Sequence, residues 1–382
     1  MKPSPVPLAA ALTGVQCLSA LTWIVYAALL AGLLSAAGVD PSWRPWILLA
    51  DQVIFAACDT LAGVWLDGAA AATRRLGGVL LGATCVSTVT FLALPWLTDA
   101  PGVMLACIAV WAVASSALRA PLPRLLARYA SLPDRPGLAA FFALGTGLAG
   151  LLAPGAMRAL AREGSRAAFA LTSLTLWLLV AMLFVTERSQ GEARREATRA
   201  VEAPPRALPL ALGATFLATL GAQVYGTFAV SAALRRVAGA AEATGLAVVF
   251  PLGVALAAVG AAATKRFGAE RTGAAACALA AASAAVTGAA GAKEVVVGAG
   301  LAAGVGWGAA LSATLTAVSA LAPKERAARW TGAWFAAQAV ATGVRMGAGM
   351  AAERVTEGAA CAAAAVAWGA AAVMLATAGA RR

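Results

Sequence analysis

Long apolar runs recur from one end of this 382-residue sequence to the other. At a rise of about 1.5 Å per residue, a helix of about 20 residues crosses the hydrocarbon core of a bilayer, which is roughly 30 Å thick. The chain is 61% hydrophobic and 12% charged, whereas ordinary soluble domains are about 25% charged. A soluble core cannot bury that excess, so the sequence predicts an all-α membrane protein that crosses the bilayer many times.

Breaks between the apolar runs divide the chain into twelve predicted transmembrane helices. Their predicted bounds are 8–33, 46–66, 76–97, 102–120, 137–157, 167–185, 208–233, 243–263, 272–291, 295–320, 329–350 and 358–379. The ninth and twelfth consist mostly of alanine, which is nearly neutral for insertion, so we expect both to depend on neighbouring helices. The first run is too long for the apolar segment of a signal peptide, and we predict that it is retained as a helix.

The cations divide unequally between the two sides of this predicted topology. With a cytoplasmic N-terminus, the cytoplasmic segments hold most of the 29 lysines and arginines, as the positive-inside rule requires. We therefore predict a bacterial-type inner-membrane protein with both termini in the cytoplasm. The net charge of +12 then reflects topology, and we expect no nucleic-acid partner.

Signatures of enzymes and of metal proteins are missing from the sequence. It contains no histidine, no P-loop and no Cys-x-x-Cys pair, and its six cysteines all fall inside predicted helices. We expect no enzymatic activity, no cofactor and no metal. The expected partners of this chain, which we predict to be a monomer, are the lipid bilayer, a small-molecule solute and protons, which carboxylates would carry in the absence of histidine.

Two similar octapeptides, AAATRRLG at 70–77 and AAATKRFG at 261–268, indicate an internal repeat. Further matches keep the same order along the chain: 18–26 with 217–225, Trp111 with Trp307, Ser116 with Ser312, and 134–135 with 325–326. Ordered matches of this kind indicate duplication. The repeat predicts two pseudo-symmetric six-helix bundles, 1–186 and 208–382, joined by a polar cytoplasmic linker at 187–207.

A pattern of glycine, acid and cations follows the second predicted helix, and a variant of it follows the eighth. The first copy contains Gly63, Asp67, Arg74 and Arg75, and the second contains Gly260, Thr264, Lys265, Arg266 and Gly268. With twelve helices in two halves and cytoplasmic termini, this pattern resembles the major facilitator superfamily, whose members carry G-x-x-x-D-R-x-G-R-R after helix 2. The resemblance implies secondary transport by alternating access, with a cytoplasmic gate at these residues. In the first copy, six extra residues separate the acid from its arginines.

Apart from Arg329 at the first position of the eleventh predicted helix, four charged residues lie inside predicted helices, where charge is costly and indicates function. Asp59 lies roughly 20 Å from the predicted outer end of helix 2 and is our candidate for proton coupling; the alternative is that it braces the gate through an arginine. Asp51 is nearer the outer end, where we expect it to reach water. The family resemblance implies a role in proton or substrate handling for Arg119, and Arg345 is a candidate for attracting an anion or neutralising a carboxylate. Snorkelling to the membrane surface is the alternative for both arginines.

The resemblance also implies that helices 1, 4, 7 and 10 line a central cavity, and each carries polar or aromatic side chains at helical spacing. The cavity candidates are Gln16, Ser19, Trp23, Tyr26, Trp111, Ser115, Thr215, Thr219, Gln223, Trp307, Ser312 and Thr316. For each residue alone, helix packing is the alternative interpretation. Together they predict a small amphipathic organic solute, moved by proton antiport or facilitated efflux. A non-transporting assembly or sensory protein, and a lipid or lysolipid flippase of the same fold, stay open.

Overall fold

Long helices account for nearly all of the computed structural model of this chain, which describes residues 6–68, 76–119, 135–163, 165–189, 207–323, 326–351 and 355–380. Helices are the expected result for apolar runs, because the bilayer core offers the backbone no other hydrogen-bond partners. The helices are α1 (Val6–Ala36), α2 (Arg44–Gly68), α3 (Leu76–Ala93), α4 (Pro101–Arg119), α5 (Arg135–Glu163), α6 (Ser165–Ser189), α7 (Ala207–Leu246), α8 (Val249–Leu256 with Ala261–Phe267), α9 (Ala269–Ala289), α10 (Lys293–Leu321), α11 (Ala327–Ala351) and α12 (Glu357–Ala380).

Two of these helices are interrupted. α7 passes through a π-helical turn at Tyr225–Ala229 and kinks at Gly239, where φ is 77°. The two segments of α8 meet at 48° across the 3₁₀ turn Ala257–Gly260. α7 also continues beyond the predicted span 208–233, because hydropathy marks the apolar part of a helix and its polar end remains helical to Leu246.

The helices confirm a multi-pass membrane protein. Among the described residues, nine helices are long and apolar enough to cross a membrane, and α8 makes a tenth if its bent pair is one span. The apolar part of α4, Pro101–Ala117, is shorter, and α11 contains Arg329 and Arg345. The arrangement agrees with the predicted twelve-helix architecture.

The chain divides into two compact units. The first comprises Met1–Tyr129, Ala149–Ala197 and Glu325–Ala336, and the second comprises Ala130–Leu148, Thr198–Lys324 and Ala337–Arg382. Both α5 and α11 therefore contribute to both units. The division into bundles 1–186 and 208–382 stays a prediction, and most of the predicted linker at 187–207 lies outside the described residues.

An aromatic cluster lies in the core of the first unit. Tyr26 of α1, Phe91 of α3, Trp111 of α4 and Phe169 of α6 are each at most 2% exposed. Ring centroids lie 4.6 Å apart for Tyr26 and Trp111, 4.9 Å for Phe91 and Trp111, and 4.4 Å for Phe91 and Phe169. Such pairs contribute about 0.5–1.5 kcal/mol each beyond burial, so the cluster fixes four helices against one another.

The second unit has its own aromatic cluster. Tyr225 of α7 lies 5.5 Å from Phe250 of α8 and 5.4 Å from Trp368 of α12, and Phe250 lies 5.9 Å from Trp307 of α10, measured between ring centroids. The Trp368 indole donates a hydrogen bond to the Ala218 carbonyl over 2.9 Å. Tyr26 and Tyr225, which match in the sequence repeat, are thus both fully buried in aromatic surroundings.

Glycines bring α8 and α10 into backbone contact. A methyl group added at Gly304 would overlap the Phe250 carbonyl oxygen and lie 2.9 Å from the Gly253 Cα, and one added at Gly308 would lie 2.6 Å from the Ala257 Cβ. Contacts this close leave room only for a hydrogen side chain, as at other small-residue interfaces between membrane helices.

Polar contacts secure two helix ends. In the connection before α2, the Ser42 N–H donates to the Asp40 carboxylate over 2.8 Å, which lowers the pKa of Asp40. In the second unit, Arg236 of α7 binds Glu357 of α12 through Nη2 to Oε1 at 2.7 Å and Nε to Oε2 at 3.0 Å. Its Nη1 also donates to the carbonyl of Ala290 over 2.9 Å, so one guanidinium links α7, α12 and the end of α9.

Candidate functional site

Asp59 of α2 is fully buried and binds two residues of α4. Ser116 Oγ donates to Asp59 Oδ1 over 2.6 Å, and Arg119 Nη2 donates to Oδ2 over 2.9 Å. Ser116 and Arg119 are three residues apart, so they lie on one face of α4. Removing one partner of a buried ion pair costs about 3–5 kcal/mol, and this pair therefore ties α4 to α2.

Two aromatic rings flank the Arg119 guanidinium. Its Cζ lies 4.4 Å from the ring centroid of Phe55 in α2 and 5.9 Å from that of Phe335 in α11. At exposed sites such contacts contribute about 0.5–1 kcal/mol each, and the Arg119 side chain is 24% exposed. The guanidinium is thus held at Asp59 by an ion pair and two rings. A cation that only snorkels to the membrane surface needs no such partners.

The start of α11 packs directly on the C-terminal half of α2. A methyl group added at Gly63 would lie 2.6 Å from the Ala328 carbonyl oxygen, and one added at Gly332 would overlap the Asp59 carbonyl oxygen. No side chain separates the two backbones at these points. The predicted gate glycine Gly63 is therefore a point of helix contact beside the Asp59 ion pair.

The Asp67 carboxylate caps the first turn of α11. Its Oδ1 accepts a hydrogen bond from the Ala328 N–H over 3.0 Å, and its Oδ2 accepts one from the Arg329 N–H over 2.9 Å. First-turn amides have no partner within their own helix, and a negative charge near them is favoured by about 0.3–1 kcal/mol, up to ~2 kcal/mol when partly buried. Asp67 thus binds a helix terminus, while the predicted gate residues Arg74 and Arg75 lie outside the described residues.

The second copy of the gate pattern forms a helix end instead. Gly260 lies in the 3₁₀ turn of α8, and Lys265 and Arg266 lie in its last turn. Thr264 is 6% exposed, and its carbonyl accepts a hydrogen bond from the Gly268 N–H over 3.1 Å. Gly268 has a φ of +85°, a conformation that glycine adopts most readily at the end of a helix. No carboxylate stands in this copy where Asp67 stands in the first.

Asp51 is a second buried acid on α2, in a different environment. It is 1% exposed, and the Tyr26 hydroxyl donates to its Oδ2 over 2.9 Å. Among the described residues, no cation forms an ion pair with it. The expectation that Asp51 reaches water is wrong in this structure, because Tyr26, itself packed on Trp111, covers it from α1. A charge buried without a partner is far more costly than a buried neutral polar group.

The twelve cavity candidates divide into two groups. Five are buried within the units: Tyr26, Trp111, Thr215, Thr219 and Ser312. Seven are half-buried: Gln16, Ser19, Trp23, Ser115, Gln223, Trp307 and Thr316. The first five are therefore buried in this structure, and the assignment of the twelve residues to a cavity stays a prediction. The four candidates on α1 span about 80° of the helix surface. Tyr26 lies at one edge of this span and contacts Asp51 of α2 and Trp111 of α4.

Three half-buried candidates present polar groups with no hydrogen-bond partner. These are Ser19 Oγ and Trp23 Nε1 on α1 and Trp307 Nε1 on α10, each atom being buried. Arg345 of α11 is also half-buried, its Nε has no partner, and it forms no ion pair with another described residue. Buried polar groups are normally paired, so each of these groups has room for a partner such as water or a ligand.

Four residues that complete the Asp59 site are not identified by the sequence patterns. Ser116 appears there only as a marker of the repeat, although it lies three residues before Arg119. Phe55 lies one turn before Asp59, and this helical spacing was the available signal. Gly332 and Phe335 come from α11, and nothing in the sequence connects them with α2.

Comparison with known proteins identifies the fold. A sequence profile described as Major Facilitator Superfamily matches residues 12–344. A search of curated protein sequences finds no significant match. In the part of the chain that the structure describes, no three His, Cys, Asp or Glu side chains come together as potential metal ligands.

Several solved structures share this fold. A bacterial homologue of the iron transporter ferroportin, in its outward-facing state, has a TM-score of 0.77 at 14% identity, with 98% of this chain and 100% of that chain covered. The human organic anion transporter MFSD10 has a TM-score of 0.70 at 16% identity, with coverage of 98% and 100%. The E. coli fucose:proton symporter FucP has a TM-score of 0.69 at 13% identity, with coverage of 98% and 98%. At such identities the likeness shows the fold alone.

Proposed function

We propose that this chain, which belongs to the Major Facilitator Superfamily, is a secondary transporter that moves a small organic solute by alternating access. The contact of α2 with the start of α11 carries the proposal. In the division that we propose, α2 belongs to the bundle 1–186 and α11 to the bundle 208–382. The contact then joins the two bundles on the cytoplasmic side and must part when that side opens.

The chemistry of the contact suits a gate. Gly63 and Gly332 bring backbone against backbone, and Asp67 adds two hydrogen bonds to α11. No interdigitated side chains have to be pulled apart at these points, so the helices can separate and return to the same register. The engaged Asp67 also supports a working gate, and so favours a transporter over a non-transporting relative of the same fold.

The Asp59 ion pair lies next to this contact. Gly332 packs on the Asp59 carbonyl, and Phe335 lies over Arg119. This proximity supports the alternative that Asp59 braces the gate through an arginine. Proton coupling through Asp59 stays a prediction, and loss of pH-driven uptake in Asp59→Asn is its test.

We propose that unpaired polar groups of the chain take part in solute binding. Ser19 and Trp23 in the first unit offer a hydroxyl and an indole donor, and Trp307 and Arg345 in the second unit offer an indole and a guanidinium donor. Such donors match a solute that has acceptor oxygens or an anionic group beside an apolar body. We further propose proton-coupled efflux across a bacterial-type inner membrane, with a monomeric protein and both termini in the cytoplasm.

The test is uptake into proteoliposomes with and without a cross-link across the α2–α11 contact. The chain, with its six native cysteines replaced, would carry Asp67→Cys and Ala328→Cys. The probes are tetraphenylphosphonium, benzoate and glucose, supplied with an imposed pH gradient. We expect uptake of at least one probe by the reduced protein, its loss on oxidation, and its return on reduction.

The matched control is a cross-link inside the first bundle. Gly14 of α1 contacts Leu179 of α6, so oxidised Gly14→Cys with Leu179→Cys should retain the uptake of its reduced form. Uptake that persists after α2 is linked to α11 would contradict the gate. Failure of the unmodified chain to move any of the probes would favour the non-transporting alternative.

A further inference from the structure

We propose that Asp51, paired with Tyr26, is a proton-binding site, and that it takes up and releases the proton coupled to transport while Asp59 remains in its ion pair. The proposal rests on the transport function proposed above and assigns its coupling step to a particular carboxyl group. It follows from the difference between two buried acids on one helix.

The charged groups around Asp51 are engaged elsewhere. Tyr26 of α1 is its hydrogen-bond donor. Arg44, seven residues earlier in α2, donates its Nε to a backbone carbonyl of α1 over 3.1 Å. Asp40, in the connection to α1, accepts from a backbone N–H. Arg119 of α4 is in its ion pair about 12 Å further along α2. Within the described residues, a proton is therefore the available means of neutralising Asp51.

The second half of the chain provides an internal comparison. Tyr225, which matches Tyr26, is equally buried, and its hydroxyl lies 2.7 Å from Thr287 Oγ1. Thr287 in turn donates to the Ser283 carbonyl over 2.9 Å. A neutral residue of α9 thus satisfies the matching buried tyrosine, so a tyrosine in such surroundings does not require an acid as its partner. An acid kept at membrane depth indicates function.

The proposed step transfers a single proton. The Asp51 carboxylate takes one proton from hydronium in the aqueous phase, leaving water, and becomes a neutral carboxylic acid, whose carbonyl oxygen accepts the Tyr26 hydrogen bond in the buried state. When α1 and α2 separate at this point, the acid releases the same proton to water and becomes a carboxylate again. Asp59 takes no part in the step, because a proton could bind its carboxylate only after Arg119 had moved away.

The test is infrared difference spectroscopy of the full chain in proteoliposomes, with the pH stepped and no solute present. A buried protonated carboxyl group gives a C=O stretching band that ionised carboxylates lack. We expect the wild-type chain to show this band at neutral pH and to lose it at higher pH. The band should be absent in Asp51→Asn and retained in Asp59→Asn, which is the matched control on the same helix. A band that persists in Asp51→Asn, or a wild-type chain with no such band, would overturn the proposal.

A second variant keeps the proposal testable should Asp51→Asn fail to fold. In Tyr26→Phe the carbonyl oxygen of Asp51 loses its donor, so the band should move to higher frequency, whereas Tyr225→Phe should leave it in place. An unmoved band in Tyr26→Phe would overturn the proposal. The spectra need no solute, so the two proposals can fail separately. If the Asp51 band titrates in a chain that moves no probe, the proton site is supported and the transport function is contradicted. If the chain takes up a probe but shows no band, the transport function is supported and the proton site is contradicted.

Discussion

Two matching helix pairs, α2 with α4 and α8 with α10, are held together by different chemistry. In the first pair a buried carboxylate binds a serine and an arginine. In the second, glycines bring the backbones into contact. The repeat that matches Gly63 with Gly260 and Trp111 with Trp307 puts Leu256 opposite Asp59 and Leu315 opposite Arg119. Leu315 is 2% exposed, but Leu256 is 48% exposed, whereas Asp59 is fully buried. At these matched positions the second half therefore has no buried pair that corresponds to Asp59 and Arg119.

The same contrast recurs at two other places. Asp67 caps α11, while its counterpart Thr264 is buried in a helix end. Tyr26 binds the Asp51 carboxyl group of α2 in the first half, whereas its match Tyr225 binds the neutral Thr287 of α9 in the second. Among the described residues, Asp51, Asp59 and Asp67 therefore make side-chain contacts in the first half. In the second half, the matched pair α8 and α10 is held by glycine contacts. At these compared positions the first half thus carries ionisable groups where the second half carries neutral ones, and the duplication itself stays a prediction.

Breaking the ion pair should give the largest effect. Arg119→Leu leaves the buried Asp59 carboxylate without its cation, and we expect a loss of about 3–5 kcal/mol in the free energy of unfolding. The double variant Asp59→Leu with Arg119→Leu leaves no unpaired buried charge, and because we expect the pair to be dispensable for packing, it should recover most of that loss. Thermal unfolding in detergent measures both. Equal destabilisation of the single and double variants would contradict the view that the pair is dispensable for packing.

Filling the glycine contact should give the next largest effect. Gly304→Ala places a methyl group against the Phe250 carbonyl, and we expect it to cost about 1–3 kcal/mol through overpacking. Gly298→Ala, in the same helix but with no atom within 4 Å of the added group, should be neutral or stabilise by up to ~1 kcal/mol. Similar unfolding temperatures for the two variants would show that α8 and α10 do not depend on close approach.

Removing the charge at the α11 cap should have a smaller effect. Asp67→Asn loses the interaction of a carboxylate with the first-turn amides, and we expect a loss of about 0.3–2 kcal/mol. A cysteine introduced as Ala328→Cys should then react faster with a water-soluble thiol reagent, because the α2–α11 contact opens more often. Thr264→Val is the matched control and should leave that labelling rate unchanged.

Removing the hydrogen bond between Tyr225 and Thr287 should give the smallest effect. Tyr225→Phe removes one hydrogen bond while Thr287 keeps its bond to the Ser283 carbonyl, so we expect a cost of about 0.5–1.5 kcal/mol. A double-mutant cycle with Thr287→Val measures the coupling between the two hydroxyls. Tyr26→Phe should cost more, since it leaves a buried carboxyl group without its donor; equal costs would remove the distinction between the halves.

The helices α9 and α12 show what hydropathy alone can predict. Both are mostly alanine, yet their predicted bounds of 272–291 and 358–379 agree within one turn with Ala269–Ala289 and Glu357–Ala380. Apolar length is enough to identify a membrane helix, even one that makes little contribution to insertion. α7 shows the limit, because hydropathy cannot detect a helix that continues into polar residues.

The charged residues of the candidate site could be predicted from the sequence, but the contacts between them and residues of other helices could not. Asp59, Asp51, Arg119 and Asp67 stand out because charges are rare in apolar helices. Their partners depend on which helix faces which, and period-3.6 spacing gives only the face within one helix. This is why the burial of Asp51 under Tyr26 was not foreseen.

The π-helical turn of α7 has a consequence for anyone who labels this helix. One extra residue in such a turn rotates everything after it by about 100° relative to an uninterrupted helix. Counting seven residues on from Gln223 reaches Val230, which is 5% exposed, whereas the next position, Ser231, is half-buried and donates to the Gly226 carbonyl five residues back. A cysteine scan along α7 should therefore lose its phase by one position after Ala229, and a helical wheel drawn for the whole segment would assign its second half to the wrong neighbours.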